Sequence, residues 1–231
     1  MAVKKGAKKE HLDKFKVVVS RDGPYLVSGV VPLTEQTIEA DESGCSSEWH
    51  ETKKYPQQDG YALCRCGKSK NKPFCDGTHA KIKFDGAETA SREPYLKQAN
   101  KIDGPSLKLT DAQDLCSFAR FCDRGGGVWN HVRVSNDPET KKMAVEEACN
   151  CPSGRLVAWN NETREPIEPE LRPSIGLIED PQMGVMGPIW VRGGISIESA
   201  EGKTYEKRNR VTLCRCGKSD NKPFCDGSHA N

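Results

Sequence analysis

The sequence has little of what a membrane or secreted protein needs. Only 35% of its 231 residues are hydrophobic, and the mean hydropathy is −0.71. No apolar run approaches the roughly 18 residues of a membrane span. The basic start, MAVKKGAKKEHLDKFK, leads into neither an apolar segment nor a small-residue cleavage site, so it does not resemble a secretory signal. We therefore expect a cytoplasmic protein without membrane contact, whose modest core would gain from additional cross-links.

An excess of one charge is also missing. Lys and Arg number 35 and Asp and Glu number 33, so nothing in the composition requires a nucleic-acid partner. The GKS tripeptides at 67–69 and 217–219 resemble the end of a phosphate-binding loop, but Ala62 and Thr212 stand where that loop needs its first glycine. No convincing nucleophile–base set accompanies them, and we expect that the chain is not an enzyme.

Cysteine, by contrast, is abundant. The chain has 11 cysteines, and an odd number argues against a closed set of disulfides. In a chain with no export signal, clustered cysteines are more often metal ligands than disulfides. Cys45 stands apart, in a polar stretch at 41–53 that predicts a surface loop.

A 17-residue block occurs twice. Residues 64–80 are CRCGKSKNKPFCDGTHA and residues 214–230 are CRCGKSDNKPFCDGSHA, identical at 15 of 17 positions. The repeat extends upstream, where GPYLVSG at 23–29 corresponds to GPIWVRG at 187–193. We infer two homologous modules, assigned to residues 1–100 and 181–231, with an insert and linker at 101–180.

Each block has the spacing C-x-C-x8-C-x3-H. In an extended segment, residues i and i+2 point to the same side about 6.6 Å apart, so a CxC pair can hold one metal if the loop curls. Asp76 and Asp226 follow the third cysteines and are good helix N-caps; a helix beginning there brings cysteine and histidine together. Three sulfurs and one nitrogen fit either a structural zinc or a [2Fe–2S] cluster, and the spacing does not separate these alternatives.

The full pattern, C-x-C-x2-S-x3-P-x-C-D-G-[ST]-H, resembles the signature of the CDGSH iron–sulfur proteins, the mitoNEET-like family. Both copies match every fixed position, with Thr78 in place of the serine of the second copy. The resemblance implies two [2Fe–2S] clusters, each with a CxC pair on the inner iron and a Cys/His pair on the outer iron. The implied ligands are Cys64, Cys66, Cys75, His79, Cys214, Cys216, Cys225 and His229.

Members of this family with one motif look like homodimers whose two clusters lie under a β-cap. The resemblance therefore implies a small α+β fold, β-rich and loop-rich, in which the two modules pack as an intramolecular pseudo-dimer with a shared β-cap. The chain would be a monomer with internal pseudo-two-fold symmetry. Its partners would be a redox protein or an apo-protein that accepts the cluster.

Local patterns predict several elements. The segment FKVVVSRDGPYLVSGVVPL predicts a hairpin turning at 22–24, PIWVRGGISIES predicts further strands, and KIKF at 81–84 a short strand. In the insert, a cap signal at Thr110 predicts a helix that stops at Gly125, and residues 138–151 predict a second helix before Pro152. The five prolines of 164–188 predict an extended linker.

The insert contains four more cysteines: Cys116, Cys122, Cys149 and Cys151. With its CNCPSG run, this segment resembles a divergent single-cluster ferredoxin domain, although the compact C-x2-C-x2-C run is missing. A further cluster, packed cysteines and a redox-active thiol pair all remain open here.

These features together predict an iron–sulfur protein that transfers electrons or clusters. Imidazole binds metal only when unprotonated, so His79 and His229 would make the clusters labile to acid. A zinc-stapled binding protein and a redox or pH sensor are the alternatives.

Overall fold

The computed structural model describes residues 15–230, and the basic segment 1–14 discussed above lies outside them. The first module begins with the predicted hairpin and continues through a second hairpin to the strand before the first CDGSH block. Its strands are β1 (Lys16–Val19), β2 (Tyr25–Ser28), β3 (Leu33–Ala40), β4 (Ser46–Lys54) and β5 (Gly60–Leu63). The short helix α1 (Thr78–Lys81) closes the block.

The insert folds around its own small sheet. Helix α2 (Tyr95–Gln98) leads into β6 (Asn100–Asp103) and β7 (Leu107–Asp111), and two short 3₁₀ helices, Gln113–Leu115 and Phe121–Gly126, follow. Helices α3 (Val128–Arg133) and α4 (Pro138–Asn150) then cover the sheet, which β8 (Leu156–Asn160) and β9 (Pro166–Ile167) complete. The strand order is β6-β7-β8-β9.

The second module repeats the hairpin and the strand before the block. It consists of β10 (Ser174–Asp180), β11 (Val185–Arg192), β12 (Ser196–Glu198) and β13 (Arg210–Leu213), and ends in the 3₁₀ helix Ser228–Ala230. Nowhere between residues 15 and 230 is there a helix long and apolar enough to cross a membrane.

The two modules exchange strands. One sheet has the order β12-β1-β2-β5 and the other β13-β11-β10-β3-β4. Strand β12 of the second module lies parallel to β1, with Ile197 opposite Val17. Strand β3 of the first module lies parallel to β10, with Leu33 opposite Ile175. Each module therefore pairs one of its strands with the hairpin of the other.

A single hydrophobic core joins these two sheets. Val17, Val19 and Tyr25 of the first module pack in one buried cluster with Ile175, Leu177 and other residues of the second module. The insert has a separate core, in which Leu107 and Leu109 pack against helices α3 and α4. The chain is thus a β-rich, small α+β protein with few helices, as expected.

The structure confirms several predicted elements. The hairpin β1–β2, the strands β11 and β12, the helix ending before Pro152 and the short helices at both blocks are all present.

Three local predictions are wrong. The helix predicted from Thr110 to Gly125 does not form: residues 107–111 form β7, because Leu107 and Leu109 are buried in the insert core and the strand pairs with β6 and β8, and two short 3₁₀ helices follow. Residues 81–84 form the end of α1 and a turn. Residues 46–54 form β4 rather than a loop; β4 lies at a sheet edge and is exposed along most of its length, which explains its loop-like composition.

The linker predicted at 164–188 is also largely structured. Residues 174–180 form β10, a central strand whose Ile175, Leu177 and Ile178 are buried. Pro173 precedes this strand and Pro181 follows it, so these prolines bound the strand without interrupting its hydrogen bonds.

Candidate metal centres

Each CDGSH block begins as a strand and folds back on it. Strand β5 ends at Leu63, immediately before Cys64, and the Cys75 N–H donates to the Ala62 carbonyl at 2.9 Å. In the second block the Cys225 N–H donates to the Thr212 carbonyl at 2.9 Å. These backbone hydrogen bonds bring the third cysteine beside the CxC pair, although eight residues separate them in sequence.

The CxC cysteines form the first pair of donors in each block. The Sγ atoms of Cys64 and Cys66 lie 3.9 Å apart, and those of Cys214 and Cys216 lie 3.6 Å apart. The Cys216 thiol donates a hydrogen bond that lowers the pKa of Cys214 to about 6, and nearby backbone N–H groups act in the same direction. This loop thus favours a thiolate, the form of cysteine that binds metal.

The third cysteine and the histidine form the second pair. The distance from Sγ to Nδ1 is 3.2 Å between Cys75 and His79 and 3.5 Å between Cys225 and His229. Asp76 and Asp226 orient this turn, because their carboxylates accept from the backbone N–H of Thr78 and of Ser228, each at 3.0 Å. Asp76 is not the predicted N-cap of α1, since Gly77 holds that position. The hydroxyl and backbone of Thr78 and the backbone of Lys70 lower the pKa of Asp76, which keeps its carboxylate ionised.

The structure therefore brings together the two predicted donor pairs in both blocks. Within residues 15–230, no three Cys, His, Asp or Glu side chains converge on the position of one metal ion. The donors are arranged two by two, with the same order and similar spacing in the two copies.

The two blocks meet back to back at a pair of glycines. A Cβ atom added at Gly67 would lie 2.5 Å from the Cys216 carbonyl oxygen, and one added at Gly217 would lie 2.8 Å from the Cys66 carbonyl oxygen. The Tyr25 hydroxyl of the first module also donates to the Cys214 carbonyl at 2.8 Å. Sequence reasoning missed these contacts, although the glycine after each CxC and the tyrosine of GPYLVSG are visible in the repeats.

The surroundings of the two outer pairs differ. A Cβ added at Gly77, beside the first pair, would meet nothing within 4 Å, whereas one added at Gly227 would lie 3.4 Å from the Cys116 carbonyl oxygen. Cys75 is partly exposed and Cys225 is buried. Burial, with the nearby Arg215 guanidinium, lowers the pKa of His229. The insert therefore shields the outer pair of the second block, whereas the outer pair of the first block has open space beside it.

Three of the four insert cysteines face one small cavity. Cys116, Cys122 and Cys151 line it together with Arg155, and we call it the insert pocket. Burial, and then the neighbouring Asp123, Cys151 and Cys116, raise the pKa of the Cys122 thiol. Cys149 instead points its thiol toward the Ile167 carbonyl, at 3.7 Å. Three thiols beside a guanidinium suit an anionic iron–sulfur group, whose thiolates bind different irons and do not converge on one point.

Cys45 lies outside these groups. It follows the turn at 41–44, where its N–H donates to the Asp41 carboxylate at 3.0 Å, and its thiol is free.

Comparison with known families agrees with this organisation. Residues 22–80 and 186–230 match the family described as iron-binding zinc finger, CDGSH type. Residues 102–161 match the family described as divergent 4Fe-4S mono-cluster. No curated protein and no solved structure matches the chain. The chain is thus a CDGSH-type iron–sulfur protein of the tandem form, with two CDGSH modules on either side of a divergent mono-cluster segment.

Proposed function

We propose that each CDGSH block binds one [2Fe–2S] cluster and that the chain transfers electrons or clusters. The observation that carries this proposal is the arrangement of the donors as two pairs, Sγ with Sγ and Sγ with Nδ1, in both blocks. In a [2Fe–2S] cluster each iron takes two protein ligands. Cys64 and Cys66 would hold the inner iron of the first site, and Cys75 and His79 the outer one. Cys214 and Cys216, with Cys225 and His229, would hold the second site in the same way.

The ligand set determines what the bound cluster supplies, which is a one-electron redox couple. Three thiolates and a neutral imidazole leave the oxidised site with one negative charge fewer than four thiolates would. Less negative charge favours reduction, so His79 and His229 would raise the reduction potential above that of plant-type ferredoxins. Rieske sites, which have two histidine ligands, show the same direction of change. Such a chain needs a redox protein or an apo-acceptor as its partner and makes no bond in a substrate.

Within this proposal the chain is a pseudo-dimer under a shared β-cap. The exchange of β3 and β12 between the modules supports it, as does the reciprocal approach of Gly67 and Gly217. One polypeptide would then provide the two-fold arrangement without a second copy.

The metal content tests the proposal against its zinc alternative. Protein purified without oxygen should be red-brown, absorb in the visible, and contain about two irons and two sulfides per CDGSH block. A colourless protein with about one zinc per block would overturn the proposal. Replacing Cys64 and Cys66 together by alanine should remove the iron of one block, while Cys45→Ala, a matched loss of a thiol outside the sites, should remove none.

Rates of cluster loss separate the two carrier roles. The first site is open at Gly77 and the second is shielded by the insert. When the oxidised protein is mixed with an apo-ferredoxin, a cluster carrier should release the cluster of the first site and retain the second. An electron carrier should release neither and should be reoxidised by an added one-electron acceptor.

A further inference from the structure

Among the described residues, the insert lies against the second CDGSH block, and it does so through a cysteine of the insert pocket. The Cys116 carbonyl oxygen lies 3.4 Å, and the Phe118 Cβ 3.5 Å, from the position of a Cβ on Gly227. Two residues earlier, the Asp114 carbonyl accepts a hydrogen bond from the Asn221 side chain at 2.7 Å. The segment 114–118 therefore rests directly on the second block.

Cys116 lies in the insert pocket and also beside the second CDGSH block. Its side chain lines the insert pocket with Cys122 and Cys151. Its carbonyl also lies against Gly227 of the second block, two residues after Cys225. The equivalent position in the first block, beside Gly77, has no neighbour within 4 Å.

The second block in turn adjoins the first at the two glycines that follow the CxC pairs. The Cys216 carbonyl faces Gly67 and the Cys66 carbonyl faces Gly217, at distances that leave no room for a side chain. The thiol-bearing residues therefore form one continuous series that runs from the insert pocket through the second block to the first. The series ends at the partly exposed pair Cys75 and His79.

We propose that this series is a one-electron relay in which Cys116 couples a cluster in the insert pocket to the second CDGSH site, and to that site alone. The proposal rests on the proposed function of the CDGSH blocks. Each transfer oxidises one site by one electron and reduces its neighbour by one electron, and no bond or proton changes place. A one-electron donor protein supplies the electron at one end of the series, and a one-electron acceptor protein removes it at the other.

The assignment gives the two blocks different tasks. The second block is an internal station, shielded from solvent by segment 114–118. The first block is the terminus at which an external protein can reach Cys75 and His79. If the two blocks were equivalent and each served its own partner, the contact of the insert with the second block would have no role.

Magnetic coupling between reduced clusters tests the relay in the intact protein. In a redox titration followed by electron paramagnetic resonance, the signal of the insert cluster should broaden at the potential where the second site becomes reduced. His229→Cys adds a thiolate to the second site and lowers its potential, so the onset of broadening should shift to lower potential. His79→Cys is the matched control at the first site and should leave that onset unchanged.

Three results would overturn the relay: the insert signal does not broaden at all, His79→Cys shifts the potential at which broadening begins, or both histidine variants shift that potential. If the histidine variants fail to fold, freeze-quenched reduction of the wild type by dithionite gives a second test. The insert signal should then acquire its splitting at the same rate as the second site is reduced, and a splitting that tracks reduction of the first site would contradict the proposal.

Iron content distinguishes failure of the relay from failure of the proposed function. A loaded chain should hold about eight irons, four in the two blocks and four in the insert, and Cys122→Ser should remove about four. If the wild type contains about four irons and Cys122→Ser leaves that number unchanged, the relay is overturned but the proposed function stands. A colourless zinc protein overturns both.

Discussion

Gly77 and Gly227 occupy the same place in the two CDGSH loops but have different neighbours. Open space surrounds Gly77, whereas the insert lies against Gly227. Among the residues that bind metal, this difference matters most at histidine, because imidazole loses its metal when it is protonated. Burial and Arg215 lower the pKa of His229, so protonation of that ring requires a lower pH.

We therefore expect bleaching in acid to occur in two phases. As the pH falls, the first site should lose its visible band quickly, and the second should follow at lower pH because burial and Arg215 lower the pKa of His229. His79→Cys should remove the fast phase and His229→Cys the slow phase, as measured by absorbance after jumps to pH values between 5 and 8. A single phase that both variants slow equally would contradict this difference.

Arg210 ties the second module to the insert at the residue scale. It is 1% exposed, and its guanidinium donates to the carbonyls of Cys149 at 2.7 Å and of Ala148 and Leu156, each at 3.1 Å. These donors satisfy the carboxyl end of helix α4, where backbone oxygens lack partners within the helix.

Arg210→Met should lower the free energy of unfolding by about 3 kcal/mol, because it leaves several buried carbonyls without donors. Lys203→Met, which removes an exposed cation paired with Glu201, should cost less than about 1 kcal/mol. Denaturant titration of the holo-protein measures both. Equal losses would show that the Arg210 contacts contribute little.

At the scale of elements, the two ligand loops depend on how closely their backbones approach. Gly67 and Gly77 both have positive φ angles, 72° and 83°, so alanine at either position carries a similar conformational cost of about 1 kcal/mol. Only at Gly67 would the new methyl group also meet backbone, at 2.5 Å from the Cys216 carbonyl oxygen.

Gly67→Ala should therefore destabilise the protein several kcal/mol more than Gly77→Ala and should lower the iron content of both blocks. Thermal unfolding and iron analysis of the two variants give the comparison. Similar melting temperatures and full iron content in both would mean that the loops can separate without loss.

How far the sequence predicts these elements depends on where their partners lie. The eight candidate ligands, the hairpin β1–β2 and helix α4 follow from local spacing, turn and cap signals, and the structure brings the ligands together in pairs. Strand β4 was not predicted because it is an edge strand with polar side chains on both faces. Strand β10 was not predicted because prolines lie directly before and after it. The exchange of β3 and β12, the contact of Gly67 with Gly217 and the pocket of Cys116, Cys122 and Cys151 join distant residues, which no local pattern specifies.

For the molecule as a whole, the candidate metal sites lie where the two modules meet. The shared core packs β-strands of both modules, but the ligand loops meet through backbone at the two glycines. Bound clusters therefore add covalent cross-links within each loop, and ligands that bind only the folded state stabilise it.

Removal of the clusters by acid and a chelator, followed by return to neutral pH, should lower the melting temperature markedly relative to the holo-protein. Calorimetry measures the shift, and reconstitution with iron and sulfide should reverse it. An apo-protein that melts at the holo temperature would contradict a structural role for the clusters.

The exchange of strands also governs the order in which the chain can acquire its structure during synthesis. Residue Val17 leaves the ribosome early, but its parallel neighbour Ile197 is among the last residues to be added. The insert pairs mostly with itself and has its own core, so it can fold while translation continues. The first module must wait with an unpaired edge on β1, in a cell that adds about 5 to 20 residues per second. Its ligand cysteines are therefore made first, yet gain their final sheet only when the second block is nearly complete.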